Sequence, residues 1–108
     1  MTYDDFAARA LALPETSEEP HAGGVSVTRG GGWMFSLKRD GETIVLKLDW
    51  EAHDRLLMAH PKAVHKTRHY EGYPALLLRL GTLTSALADE LIDASWKDAP
   101  NAAKKMPR

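Results

Sequence analysis

The sequence predicts an α+β domain in which helices pack on a mainly antiparallel sheet. Three observations lead there. Capped stretches with apolar residues at helical spacing stand at the start, middle and end of the chain. Between the first two, short apolar alternations are separated by glycine-containing turns, and a leucine-rich run precedes the last helix. The 108 residues suit one core, since two would each bury too little apolar surface, and 44% hydrophobic against 27% charged residues is an ordinary globular balance. One domain is expected over residues 1–100, with 101–108 as a basic tail.

The first helix should start after Thr2, with Asp4 and Asp5 in the first turn where the helix dipole favours them. Phe6, Ala10 and Leu13 share one face, and Pro14 ends the element. The polar segment "ETSEEPHAGG" reads as an exposed loop. "GVSVT" and "WMFSLK", joined by "RGGG", read as a hairpin with Trp33, Phe35 and Leu37 on one side. An Asp40-Gly41 turn leads into "TIVLKL", which places Ile44, Leu46 and Leu48 on a common face. Asp49 caps a second helix with Ala52, Leu56 and Leu57 inward, ending before Pro61. Pro61, Gly72 and Pro74 exclude a continuous helix over 61–73, so that stretch is loop or short extended pieces. "ALLLRL" is a strand with Leu76, Leu78 and Leu80 on one face and Arg79 on the other. Thr84 caps the final helix, whose stripe is Leu87, Leu91 and Ser95 beside Ala88 and Ile92, and Pro100 ends it.

Charge is distributed unevenly although the net value is −1: residues 1–20 hold five acids against Arg9, and residues 60–80 hold four Lys and Arg against Glu71. A dedicated nucleic-acid binder usually has a more basic balance, so whole-chain charge argues mildly against DNA. Cysteine is absent, which excludes disulfides, thiol nucleophiles and thiolate metal sites. No apolar run approaches a membrane span and "MTYDDFAARA" lacks the basic start of a signal peptide, so a cytoplasmic protein without membrane contact is expected.

The densest chemistry lies in "HPKAVHKTRHYEGY". His60, His65 and His69 could ligate a metal, but the prolines and glycine interrupt the necessary geometry, and Lys62, Lys66 and Arg68 repel a cation. An anion suits the segment better. Lys66, Arg68 and Arg79 can neutralise phosphates, with Tyr70 and Tyr73 available to stack on bases or donate hydrogen bonds. The competing reading is a solvated rim whose tyrosine rings lie against the sheet. "RGGGW" lacks the Gly-Lys-Ser/Thr ending of a phosphate loop and is read as a turn, and no serine-hydrolase elbow, zinc-protease helix or calcium loop occurs. His21 beside Glu18 and Glu19 resembles an exposed ion pair more than a catalytic base. No cofactor is called for, and an enzyme is not indicated. Trp33, Trp50 and Trp96 are expected to anchor the core or its edge.

Taken together, "MTYDDFAARALALPET", "GGWMF", "IVLKLDWEAHDRLL", "TRHY" and "LIDASWKDAP" resemble, in order and spacing, the MmcQ/YjbR family of small bacterial proteins. The resemblance implies an α-β(3)-α-β(2)-α arrangement, in agreement with the order read above, and a DNA-binding role by likeness to a double-wing architecture. By the match, Lys66, Arg68, His69 and Tyr70 fall on the exposed segment before the last strand, and Arg79 on that strand. The expectation is a non-enzymatic module binding DNA weakly through Lys66, Arg68, His69, Tyr70 and Arg79. The alternative is a protein-interaction or chaperone-like homodimer, since the implied fold also resembles that of secretion chaperones. A pocket near His21, Trp33 and His69 is a third option.

Overall fold

The chain opens on a capping box. The Thr2 hydroxyl accepts from the Asp5 backbone N–H (3.1 Å), and the Asp5 carboxylate accepts in return from the Thr2 backbone N–H (3.3 Å). These bonds satisfy donors left open at a helix start, and the hydrogen bond to the Thr2 side chain is the main reason the Asp5 carboxyl lies below its ordinary range. Helix α1 (Tyr3–Leu11) then buries Phe6, Ala7 and Ala10. The computed structural model describes residues 1–21 and 24–100, without the His21 side chain. The basic tail 101–108 therefore lies outside the described residues.

Six strands form one antiparallel sheet: β1 (Thr16–His21), β2 (Gly24–Arg29), β3 (Gly32–Leu37), β4 (Thr43–Lys47), β5 (Val64–His65) and β6 (Ala75–Arg79). Their order across the sheet is β1-β2-β3-β4-β6-β5. Helices α2 (Trp50–Ala59) and α3 (Ser85–Asp98) complete the described fold. Asp49 caps α2 by accepting from the Ala52 N–H (2.8 Å), and Thr84 caps α3 by accepting from the Leu87 N–H (3.2 Å). The three helices pack their apolar stripes on one face. Phe6, Leu56, Leu91 and Ile92 share a single core with Val27, Phe35, Ile44, Leu46, Leu76 and Leu78. Phe6 meets Phe35 edge to face at 5.0 Å.

Two elements differ from the sequence reading. Residues 16–21, expected within a loop, pair with β2 from Thr16↔Arg29 to His21↔Gly24, so four strands rather than three precede α2. The segment carries no apolar alternation because it is an edge strand with Ser17, Glu18, Glu19 and Pro20 all exposed; its pairing is a backbone ladder, supplemented by a hydroxyl–hydroxyl bond between Ser17 and Thr28 and by the Thr28 hydroxyl donating to the Glu19 carboxylate. The acids and the proline also blunt the free edge against further pairing.

The second difference is Trp33, which does not share a face with Phe35 and Leu37. Val27 pairs with Phe35 but Thr28 pairs with Trp33, so Met34 is an extra residue in β3. Such a bulge shifts the alternation by one. Met34 and Phe35 both enter the helix-side core, whereas Trp33 crosses to the opposite face and packs on Val45, Ala75 and Leu77. Ser95, read as a packing residue, is buried and donates to the Met34 carbonyl (3.1 Å), tying α3 to the bulge.

Candidate nucleic-acid interface

Strand alternation decides what the sheet face away from the helix-side core carries. Leu37, Ile44, Leu78 and Val64 turn into the helix-side core, so their neighbours turn away from it. Register places Ser36, Val45, Leu77 and His65 in one row, with Thr43 and Arg79 paired in the next. The Lys38 N–H donates to the Thr43 carbonyl (2.8 Å) and extends that second row. The middle of this face is apolar. Trp33 and Tyr70, both half-buried, lie against Val45, Ala75 and Leu77, and the Trp33 indole N–H donates to Ser36 Oγ (2.7 Å).

One end of the face is cationic. Arg79 and Lys38 both act on His65, and burial together with their charges, in that order of effect, pushes its pKa below the ordinary 6.5. His65 Nδ1 is buried with no hydrogen-bond partner among the described residues. Arg79 is exposed, donates to the Lys62 carbonyl (3.0 Å), and with His65 lines an open cleft of about 750 Å³ that also includes Tyr3, Glu42 and Thr43. Because the folded-state pKa of His65 lies below its unfolded value, the unfolded chain binds more protons between the two. Stability contributed by neutral His65 is complete above about pH 6.5 and is lost as pH falls towards the folded pKa. Urea denaturation at about pH 7.5 and about pH 5 should therefore show a smaller acid-induced loss for His65→Gln than for the unmodified protein. An equal loss in both would remove His65 from this account.

The residues singled out in the sequence separate in space. Lys66 is engaged inward: its Nζ lies 2.9 Å from His53 Nε2, donates to the Tyr73 carbonyl at 2.7 Å, and sits 5.3 Å from the Trp50 ring centre. His53 is buried on α2, with Nδ1 2.8 Å from Asp54 Oδ1. A carboxylate on one side and an ammonium on the other select the tautomer with the proton on Nδ1, leaving Nε2 to accept from Lys66. Arg68 and His69 are exposed in a 3-10 turn, and His69 stands edge to face on Tyr70 at 4.7 Å. Tyr70 thus joins the open face, Arg79 lies at its cationic end, and Lys66 braces the loop. Tyr73 is exposed.

Sequence reasoning passed over Lys38 and His53, and named Trp33 for a small-ligand pocket or the core edge rather than for this face. The position of Lys38 beside the Asp-Gly turn was the available signal for a strand-end cation. His53 falls three residues after Trp50 and three before Leu56, on the inner stripe of α2. Among the described residues no three His, Asp or Glu side chains converge as a metal site would require, so His60, His65 and His69 are not brought together. His21, named with Trp33 and His69 for a small-ligand pocket, has its side chain outside the described residues. Among those residues no helix is long and apolar enough to cross a membrane.

Ion pairing divides the cations into two groups. Arg9 pairs with Asp89, Arg29 with Glu15, Lys47 with Asp98, Arg55 with Glu90 and Lys97 with Asp93, all within 3.4 Å. Arg29 also lies 3.5 Å above the Trp96 ring centre. By contrast, Lys38, Arg39, Lys62, Arg68 and Arg79 form no ion pair among the described residues, and all are exposed. They stand in the β3–β4 turn, in the loops flanking β5, and at the end of β6.

A crystal structure of Deinococcus radiodurans protein DR2400, with a DUF419 family-model domain, superposes with a TM-score of 0.70 at 24% identity, covering 88% of this chain and 75% of that one. At that identity the likeness concerns the fold. No curated protein sequence matches the chain significantly. The YjbR family model matches residues 11–98, which run from the end of α1 to the end of α3 and include every strand, and the chain accordingly belongs to the YjbR family.

Proposed function

We propose that this protein is a non-enzymatic binding module that takes up DNA on the sheet face left open by the helices. The observation that carries the reading is the segregation of charge: among the described residues Lys38, Arg39, Lys62, Arg68 and Arg79 form no ion pair, while the cations packed against α3 or carried by the helices are neutralised. Unpaired surface cations are what a polyanion recruits, because each phosphate they neutralise releases a counterion. Arg79 and Lys38 are the principal phosphate contacts in this reading, with Arg68 and His69 at the border and Tyr70 within. Lys66 positions the loop. Glu18, Glu19 and Pro20 disfavour the alternative of a homodimer formed by pairing β1 edges.

Fluorescence anisotropy with a labelled oligonucleotide at about 50 and about 200 mM salt tests the proposal. Affinity should fall steeply with salt, and Arg79→Ala should weaken binding and reduce the duplex salt slope by about one unit. Absence of binding at the lower salt, or binding indifferent to salt, would overturn it.

A further inference from the structure

We infer that the open sheet face is built for single-stranded DNA, with Trp33 and Tyr70 as base-stacking positions. The inference rests on the DNA-binding reading and narrows its ligand. Two aromatic side chains from distant parts of the chain, one on β3 and one in the loop before β6, are brought onto the same apolar cluster of Val45, Ala75 and Leu77. The bulge at Met34 is what delivers Trp33 there; without it the alternation of β3 would send the indole into the helix layer. Both rings remain half-buried rather than fully enclosed, and β3 and β6, the strands beneath them, are separated by β4 alone. That separation is about 10 Å, two strand spacings.

Charge complements this platform along its border. Lys38 and Arg79 continue the same face by one row, and Arg68 and His69 share the 3-10 turn with Tyr70. A groove or face that combines cations for the backbone with rings for the bases is how single strands are held without sequence preference. A duplex hides its base faces and is read through a helix or narrow ribbon inserted in the major groove. Here the helices carry their cations in ion pairs, Arg9–Asp89 across α1 and α3 and Arg55–Glu90 across α2 and α3, which leaves a broad sheet instead.

The test compares a labelled 15-nucleotide thymidine strand, its duplex with the complementary strand, and the RNA strand of equivalent sequence, for the unmodified chain and for Trp33→Leu, Tyr70→Leu and Tyr70→Phe. Leucine preserves apolar cover on Val45 and Leu77 but removes the ring, and thermal melts verify the fold of each variant. The expected result is tighter binding of the DNA strand than of the duplex. Each leucine variant should lose between about five-fold and about a hundred-fold in affinity for the strand, a larger loss than for the duplex, and Tyr70→Phe, which keeps the ring, should lose less than Tyr70→Leu. Strand binding unaffected in folded Tyr70→Leu, or equal affinity for duplex and strand, overturns the inference while salt-dependent binding keeps the DNA reading. RNA bound ten-fold tighter than DNA also overturns it. If no oligonucleotide binds at low salt, both fall together.

Discussion

Replacing Asp98 by alanine should destabilise the fold by roughly 3–5 kcal/mol, the usual consequence of leaving one member of a buried ion pair without the other. Asp98 Oδ2 accepts from Lys47 Nζ at 3.0 Å, and the side chains are only 2% and 10% exposed. Alternation along β4 turns Lys47 away from the helix-side core, and the last turn of α3 reaches it there. An acid at a helix C-terminus is disfavoured by the helix dipole, so the Lys47 ammonium accounts for Asp98 at this position. For a domain of this size the loss corresponds to a fall in Tm of more than about 10 °C. The double variant Lys47→Met with Asp98→Leu should recover most of it, because neither charge then remains buried alone. Urea denaturation of the three proteins decides the matter, and a loss under about 1 kcal/mol for Asp98→Ala would show that the pair contributes little.

Gly32→Ala is the second large effect, at about 3 kcal/mol, the upper part of the range for overpacking. A Cβ on Gly32 would stand 1.9 Å from the Ala99 carbonyl oxygen and 2.7 Å from its carbon, and backbone cannot swing aside as a side chain can. The whole C-terminal end of α3 would have to move off β3, with Asp98 beside it. Its neighbour supplies the control. Gly31 has open space around its missing Cβ but φ of +84°, so alanine there meets only backbone strain of about 1 kcal/mol. Thermal melts should rank Gly32→Ala well below Gly31→Ala, and the reverse order would contradict the close approach of α3 to β3.

The three glycines illustrate how far the sequence could be read. "RGGG" correctly marks a turn between β2 and β3, and Gly30 and Gly31 take the positive φ that such a turn requires. Gly32 serves a different purpose, visible only once the far end of the chain has docked on it. The caps Thr2, Asp49 and Thr84 and the inward stripes of the helices were legible for a comparable reason: each depends on residues within one turn of the helix. The fold class followed from those local signals and from the apolar alternation of β2 and β4. Strand β1 was missed because an exposed edge strand needs no apolar pattern, only a partner ladder.

The candidate site was less legible. Four residues were named from one segment of sequence and Arg79 from the strand after it, but Lys66 turns inward to His53 while Arg79 shares a row with Lys38 across β4. Trp33 reached the same face through a bulge that shifts its parity. The amino-acid order alone determined where helices and strands begin, which residues form their apolar faces, and that the chain is rich in cations beyond residue 60, since these are properties of neighbours along the chain. Which cations stay unpaired, which aromatic rings share a surface with them, and which lysine is buried against α3 were decided by tertiary structure. Strand register and helix docking bring together residues tens of positions apart, and a single inserted residue in a strand exchanges its two faces.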